Sequence, residues 1–135
     1  MPEDSKDLVR RLVQGWQHEH NSEVAEALIA EDFVDHSARP GEAGTKGEGI
    51  RFLEYMWGAL PDFAVDVKHM IGEGDLVATL KTFTGTHQGE FLGYPPTGRK
   101  ITLEVFDLVR VRDGQVTEHW AVMDMDGLKR QLSGA

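Results

Sequence analysis

One strand-like segment, residues 100–112, carries a single acidic group on an otherwise aliphatic face. Alternate residues of a strand share a face, and Asp107 shares its face with five aliphatic side chains: Ile101, Leu103, Val105, Val109 and Val111. An isolated charge is costly to bury, so Asp107 requires a partner, a water-filled cavity or a raised pKa. It is either a structural aspartate or an acid or base in a pocket.

His119 is the second candidate for chemistry, and the turn at Asp113-Gly114 decides whether it lies beside Asp107. A two-residue turn would pair Asp107 with Trp120, whereas a three-residue loop would pair it with His119; both turns favour Asp-Gly. The hydrophobic pattern of the last strand mildly favours the first alternative. A carboxylate beside an imidazole stabilises the imidazolium, and such a pair can move a proton near neutral pH. The alternative is a structural or ligand-binding pair without catalysis.

Helical and strand periodicities follow one another in an order that indicates an α+β fold. Apolar residues at helical spacing predict a helix over residues 5–19, a short helix capped by Ser22, and a third, unusually apolar helix that ends at Pro61. Strands are predicted at 33–36, 63–71, 76–86, 100–112 and 116–123, before a short C-terminal helix that Asp124 can cap. Helices that precede a run of antiparallel strands are typical of α+β proteins.

Composition narrows the classes of protein and partner. The 135 residues suit one domain, spanning 1–135. A formal net charge of −9 would repel a phosphate backbone, so nucleic acid is not expected as a partner. The absence of cysteine excludes disulfides and thiol catalysis, and the six scattered histidines lack metal-ligand spacing. With no signal-like N-terminus and no apolar run of about 20 residues, we expect a cytoplasmic protein without membrane contact.

The segment 85–99 is rich in glycine and contains Pro95-Pro96, which excludes both helix and central strand and predicts a shaped loop. With Glu118-His119-Trp120 and the ending 127–132, this segment resembles the SnoaL-like polyketide cyclases, also called ester cyclases. The resemblance implies the cone-shaped α+β fold of nuclear transport factor two, a curved antiparallel sheet with N-terminal helices packed over its concave face. It also implies a homodimer, which would cover Phe106 and Leu108 on the convex face.

The same resemblance implies where the site lies. In the anthracycline cyclases of this family, side chains at positions matching 105, 107 and 121 face the pocket. This implies the three-residue loop, with a positive φ at Gly114 and Asp107 directly across from His119. The family's acid/base aspartate corresponds to Ala121 here, and an asparagine at the pocket mouth corresponds to Asp35. Because that catalytic set is not preserved, we expect Asp107 and His119 to act as the acid/base pair, assisted by Asp35.

Large apolar side chains could form a flat slot for a ring-bearing ligand, and core packing is the alternative for each of them. Trp16 corresponds to a pocket aromatic residue in the family's first helix, and His36 lies next to Asp35 at the expected mouth. The expected ligand-binding residues are Trp16, His36, Phe52, Met56, Trp57, Phe91, Val105, Ala121 and Met123.

Three functions are consistent with these features. The first is a cyclase or isomerase that carries out cofactor-free proton transfer next to a carbonyl of a small, largely apolar substrate. The second is a hydrolase of the same fold, in which paired carboxylates activate water as in limonene epoxide hydrolase; it would need a pocket arginine between them. The third is a ligand-binding or accessory protein without chemistry, which Ala121 favours. All three predict a small apolar or aromatic ligand, no metal and no cofactor.

Overall fold

The computed structural model describes residues 4–134, which form an α+β fold of four α-helices and one five-stranded sheet. The helices are α1 Ser5–Arg11, α2 Ser22–Leu28, α3 Lys46–Ala59 and α4 Met125–Ser133, and α1 continues directly as a π-helical segment, Leu12–His18. The strands are β1 Ile29–Asp35, β2 Ala64–Glu73, β3 Leu76–Thr86, β4 Lys100–Arg112 and β5 Gln115–Met123. None of the helices in this part of the chain is long and apolar enough to cross a membrane.

The sheet has the strand order β1-β5-β4-β3-β2 and is mixed. Strands β2 to β5 are antiparallel neighbours, whereas β1 pairs with β5 in parallel. The predicted α+β class and helix-covered curved sheet are confirmed, but the sheet is not wholly antiparallel. Parallel pairing is open to β1 because most of the chain lies between it and β5, and no tight hairpin has to join them.

Side-chain oxygens that accept hydrogen bonds from backbone N–H groups cap the N-termini of the helices. Asp4 accepts from Lys6 N at 3.5 Å, and Asp124 accepts from Gly127 N at 3.0 Å, which confirms the predicted capping role of Asp124. The predicted cap at Ser22 is wrong. Asn21 caps α2 instead, accepting from Glu23 N at 3.0 Å, and Ser22 is the first helical residue. Asn and Ser compete closely for this position, so sequence alone does not separate neighbouring candidates.

Strand β4 has the predicted bounds, and its two faces lie in different environments. Its odd-numbered residues from Ile101 to Val111 are buried under the helices. Its even-numbered residues face the opposite, convex side, where Phe106 is 54% exposed. Asp107 therefore lies on the core side, as the alternation of residue types predicted.

The β4–β5 hairpin corrects the predicted register. Asp113 and Gly114 form a two-residue turn with φ of 52° and 75°, so the positive φ at Gly114 is confirmed and the three-residue loop is wrong. A β-bulge follows, because Val111 pairs with Val116 whereas Arg110 pairs with Glu118. The extra residue shifts every later pair by one position.

The bulge determines which side chains of β5 face the helices. Asp107 lies opposite Ala121, and neither His119 nor Trp120 is its direct partner. A hairpin without a bulge would have placed Trp120 on the core face. With the bulge, His119 pairs with Val109 on that face and becomes the diagonal neighbour of Asp107. The predicted register is off by two residues, so it still placed His119 on the correct face.

The loop 85–99 is tied down by backbone hydrogen bonds. His87, which is fully buried, donates its N–H to Arg99 O at 2.8 Å and accepts from Gly98 N at 2.9 Å. Gly89 N bonds to Ala59 O at 3.0 Å, which fixes the loop to the end of α3. Phe91 is thereby buried against the helical layer. The loop forms one end of the concave side, as expected for a shaped segment.

We expect Gly114→Ala to lower the free energy of unfolding by roughly 1 kcal/mol, because an L-residue at positive φ brings its Cβ too close to the backbone. Gly58→Ala is the matched control. This glycine is helical and an added Cβ would meet no atom within 4 Å, so stability should rise by up to about 1 kcal/mol. Urea unfolding of both variants measures the difference, and an unchanged Gly114→Ala midpoint would contradict the turn geometry.

Candidate active site

Two adjoining cavities lie between the helices and the core face of the sheet. The inner chamber has a volume of about 150 Å³ and is lined mainly by apolar side chains of the π-helical segment, α3 and the strands. The outer chamber, of about 290 Å³, is bordered by the segment 37–45 and by Phe91 and Leu92 of the loop 85–99. Residues that line both chambers are Asp35, Gly49, Phe52, Ala121 and Met123. A ligand could therefore extend from one chamber into the other.

Asp107 lies in the wall of the inner chamber and is only 8% exposed. Its direct partner on β3 is Thr79, whose hydroxyl donates to Asp107 Oδ1 in a short hydrogen bond. Lys81 Nζ lies 3.0 Å from Asp107 Oδ2. Burial opposes ionisation, but the charge of Lys81, His119 and the Thr79 hydroxyl outweigh it, so the pKa of Asp107 is held well below its usual range. Asp107 is therefore a carboxylate, not the raised-pKa acid that the sequence left open.

His119 lies between two carboxylates. Its Nε2 is 3.5 Å from Asp107 Oδ2, and its Nδ1 is 3.1 Å from Oδ1 of Asp35, its direct partner on β1. The side chain is 25% exposed and lines the inner chamber. Burial disfavours the charged imidazole, but the two carboxylates outweigh burial and raise the pKa of His119 to about 9. At neutral pH this side chain is an imidazolium.

Asp35 lies at the end of β1 and borders both chambers. Its Oδ1 accepts from Ser37 N at 3.0 Å and contacts His119, whereas Oδ2 accepts no hydrogen bond from the described part of the chain. Burial opposes its ionisation, but the His119 and Ser37 contacts lower the pKa of Asp35. Of the two carboxylates, Asp35 is thus the one with an oxygen free to meet a ligand.

Sequence reasoning missed Lys81 and Gln17. Lys81 is 2% exposed, and its Nζ lies 3.2 Å from Gln17 Oε1 and 5.5 Å from the centre of the Phe83 ring. A signal was available in β3, where Thr79 and Lys81 lie between Val77 and Phe83 on one face of the strand. A lysine on such a face indicates a buried counter-charge.

The structure brings most of the expected ligand-binding residues together. Those that line the inner chamber are Trp16, Phe52, Met56, Val105, Ala121 and Met123. Phe91 lines the outer chamber only. Their contact with a ligand stays a prediction, because the residues also form part of the core.

Two expected ligand-binding residues line neither chamber. His36 stacks on Trp120 at 4.6 Å and lies 3.3 Å from Glu118, because the residue after Asp35 points to the opposite face of the sheet. Trp57 stacks on His20 at 4.8 Å, since it follows Met56 on α3 and is turned about 100° around the helix. This geometry places both side chains outside the two chambers, and their contact with a ligand stays a prediction.

Within residues 4–134, no group of three or more histidine, aspartate or glutamate side chains is arranged to hold a metal ion. Apart from Lys46, which pairs with Glu26 and Glu31, the ionised groups that line the inner chamber pair with one another. Lys81 pairs with Asp107, and His119 joins Asp107 to Asp35. The arrangement can donate a proton from His119 and accept one at Asp35.

Comparison with known proteins identifies the family. The sequence model of the SnoaL-like polyketide cyclases matches residues 6–132, nearly the whole chain. The chain belongs to this family. Among curated relatives, the aklanonic acid methyl ester cyclases DauD of Streptomyces sp. (strain C5) and DnrD of Streptomyces peucetius are 27% and 26% identical to it. Each alignment covers 93% of this chain, and it covers 80% of DauD and 88% of DnrD.

Solved structures share the fold of this SnoaL-like chain closely. AclR of Streptomyces galilaeus, a proposed hydroxylase, is 30% identical with a TM-score of 0.86, over 97% of this chain and 82% of AclR. IdmH of Streptomyces antibioticus, a proposed polyketide cyclase, is also 30% identical with a TM-score of 0.83, over 97% of this chain and 99% of IdmH. Because the two neighbours have different proposed activities, the reaction has to be inferred from the site.

We expect His119 to stabilise the fold in a pH-dependent way. Its pKa rises from 6.5 to about 9 on folding, so its contribution is complete below pH 6.5 and is lost as the pH rises towards 9. The difference in free energy of unfolding between wild type and His119→Gln should shrink across this window. Urea unfolding at a series of pH values tests this, with the NMR titration of the ring as an independent check. A difference that stays constant from pH 6.5 to 9 would contradict the paired imidazolium.

Proposed function

We propose that this SnoaL-like protein catalyses cofactor-free proton transfer next to a carbonyl of a small apolar molecule, leading to ring closure or isomerisation. One observation carries the proposal: an imidazolium between two carboxylates, one of which has a free oxygen, in the wall of an apolar chamber. The kinship to polyketide cyclases supports the same class of reaction.

In this proposal Asp35 is the base. Its Oδ2 takes the proton from the carbon next to the carbonyl, and the electron pair moves onto the carbonyl oxygen to form an enolate. His119 donates a hydrogen bond to that oxygen, where the negative charge develops, which is the largest contribution in many enzymes of this kind. Loss of water from the chamber strengthens this interaction.

Ring closure returns the proton to the product. The enolate carbon bonds to a second carbonyl carbon, and the resulting alkoxide takes a proton from His119. That proton comes from Nε2, because Nδ1 keeps its own proton towards Asp35 Oδ1 at 3.1 Å. The proton on Asp35 Oδ2 then leaves to solvent and Nε2 takes one up from solvent, which restores both groups. The substrate has lost one proton from carbon and gained one on oxygen, so no cofactor is required.

Asp107 is a positioning residue in this scheme, because Thr79, Lys81 and His119 occupy its oxygens. It lies directly across from Ala121, the position of the acid/base aspartate in the cyclases that the chain resembles. A carboxylate at this depth is thus retained on the neighbouring strand. On β4, Asp107 orients the ring of His119 and stabilises its protonated form.

We expect Asp35→Asn to lower the rate of proton abstraction by at least about 100-fold, the low end of general acid–base contributions. The probe is aklanonic acid methyl ester, the compound for which the relatives are named. Deuterium uptake from heavy water at carbon, followed by mass spectrometry, reports proton abstraction even without ring closure. Asp32→Asn, an exposed carboxylate on the same strand, is the control and should exchange at the wild-type rate. Full exchange in Asp35→Asn would exclude Asp35 as the base.

We expect Asp107→Asn to change the pH dependence of exchange more than its maximum. His119 must be protonated to assist, so wild-type exchange should fall as the pH rises through about 9. Loss of one of the two carboxylates lowers the pKa of His119, so the decline in exchange rate should begin at lower pH. Glu118→Gln is the control, because it removes a neighbouring carboxylate that pairs with Arg110 and His36. In this variant the exchange rate should decline at the wild-type pH. If the exchange rate of Asp107→Asn declined at the same pH as that of the wild type, the positioning role of Asp107 would be refuted.

A hydrolase is the second candidate, because one cation joins two carboxylates in the chamber. The arginine expected for that mechanism is not among the inner-chamber residues of the described chain, and His119 lies in its place. A hydrolase would add labelled oxygen from solvent water to its product without exchange at carbon. Binding without either reaction would instead indicate an accessory protein.

The homodimer remains part of the proposal. Phe106 and Val122 pair across β4 and β5 on the convex face and are 54% and 75% exposed, which favours a covered surface. Light scattering at micromolar concentration should give twice the monomer mass of 15.1 kDa. Phe106→Glu should halve the measured mass, whereas Gly58→Glu, which places the same charge on α3, should not. A wild-type monomer would refute the dimer.

A further inference from the structure

Two cations, Lys81 and His119, and two carboxylates, Asp107 and Asp35, line the inner chamber. Lys81 Nζ and His119 Nε2 lie 3.0 Å and 3.5 Å from the same oxygen of Asp107. His119 also lies 3.1 Å from Asp35, so the four charges balance, and Lys81 is the cation with a single carboxylate partner. Lys46, the other lysine in the chamber wall, is held by Glu31 at 3.0 Å and by Glu26 O at 2.9 Å.

Lys81 retains a hydrogen-bond donor for a ligand. An ammonium group has three N–H donors. Asp107 and Gln17 accept two of them, and no third oxygen acceptor belongs to the described residues. The remaining neighbours are the Phe83 ring and the chamber itself. A charged donor with an unused N–H group thus lies in the wall of a small apolar cavity.

We propose that Lys81, together with His119, binds an ionised oxygen of the substrate, either an enolate or a phenolate, at the inner end of the chamber. The inference rests on the proposed function, because the carbonyl oxygen would point towards Lys81 while the acidic carbon points towards Asp35. Lys81 would then be a catalytic residue that touches the reacting group.

This charge distribution defines a substrate class. The molecule that fits is flat and apolar, and carries an acidic hydroxyl group or an enolisable pair of carbonyls at the end that enters first. Its apolar body would contact side chains such as Val13, Leu53 and Phe52. An analogue whose oxygen is blocked as an ether carries no charge to attract the third N–H of Lys81 and should bind more weakly.

A matched pair of probes tests the proposal without turnover. para-Nitrophenol ionises with a change of colour, whereas its methyl ether, para-nitroanisole, cannot ionise. Absorbance titration in the presence of excess wild-type protein should show preferential binding of the phenolate over the neutral phenol. Lys81→Gln, which keeps a polar side chain but removes the charge, should reduce this preference about tenfold or more, the scale of a hydrogen bond to a charged group. Its affinity for para-nitroanisole should change little.

The control is Lys68→Gln, which removes the same charge from an exposed site on β2 and should leave the preference unchanged. Lys81→Met is a second variant, and circular dichroism establishes that each variant is folded. If neither variant folds, the test uses NMR of the wild-type protein. The Nζ resonance of Lys81 should shift on addition of nitrophenolate and not on addition of nitroanisole. Equal wild-type binding of phenolate, phenol and ether, or an unchanged preference in folded Lys81→Gln, would overturn the inference.

Asp35→Asn separates this inference from the proposed function. It should abolish deuterium exchange and retain or strengthen phenolate binding, because it removes a negative charge near the bound anion. A Lys81-dependent phenolate preference in a wild-type protein that exchanges no substrate proton would overturn the proposed function alone. Exchange that depends on Asp35, in a protein without phenolate preference, would overturn the Lys81 proposal alone.

Discussion

The buried ion pair between Lys81 and Asp107 constrains the rest of the site. Two charges removed from water need close contact and further hydrogen bonds, and the structure supplies them from Thr79, Gln17 and His119. Removing one partner would leave the other charge buried, which typically costs about 3–5 kcal/mol. The pair therefore holds the π-helical segment, β3, β4 and β5 in one arrangement. The positions of His119 and Asp35 follow from that arrangement.

The β-bulge on β5 is the second constraint, because it determines which residues meet that ion pair. Without it, the Asp113-Gly114 turn would direct the indole of Trp120 into the chamber. With it, His119 faces inwards and reaches Asp107 from a diagonal position, and Asp35 on β1 meets His119 in register. One extra backbone residue thus places His119, and not Trp120, in the chamber wall. Together with Asp35, Asp107 and Lys81, His119 forms a row of alternating charges. The same row makes acid/base chemistry possible in an otherwise apolar space.

The charged row determines which chemistry this pocket can support. SnoaL-like proteins share the fold, but the chemistry depends on which side chains occupy the pocket. Here the carboxylate lies on β4 at Asp107, across from Ala121, and a lysine accompanies it. The histidine is consequently an imidazolium at neutral pH, because its pKa is about 9. An imidazolium can donate a proton or a hydrogen bond, whereas Asp35 has an oxygen that can accept one.

The sequence by itself determined the class of fold and the face of β4 on which the candidate site lies. The alternation in β4 identified Asp107 as an acid on the core face, and the Asp-Gly turn predicted a positive φ at Gly114. These features are local, because side-chain alternation and turn conformation depend on neighbouring residues. Tertiary structure decided the rest. The bulge, the parallel pairing of β1 and the Lys81–Asp107 contact join residues far apart in sequence, and their energies depend on burial that no local pattern reveals.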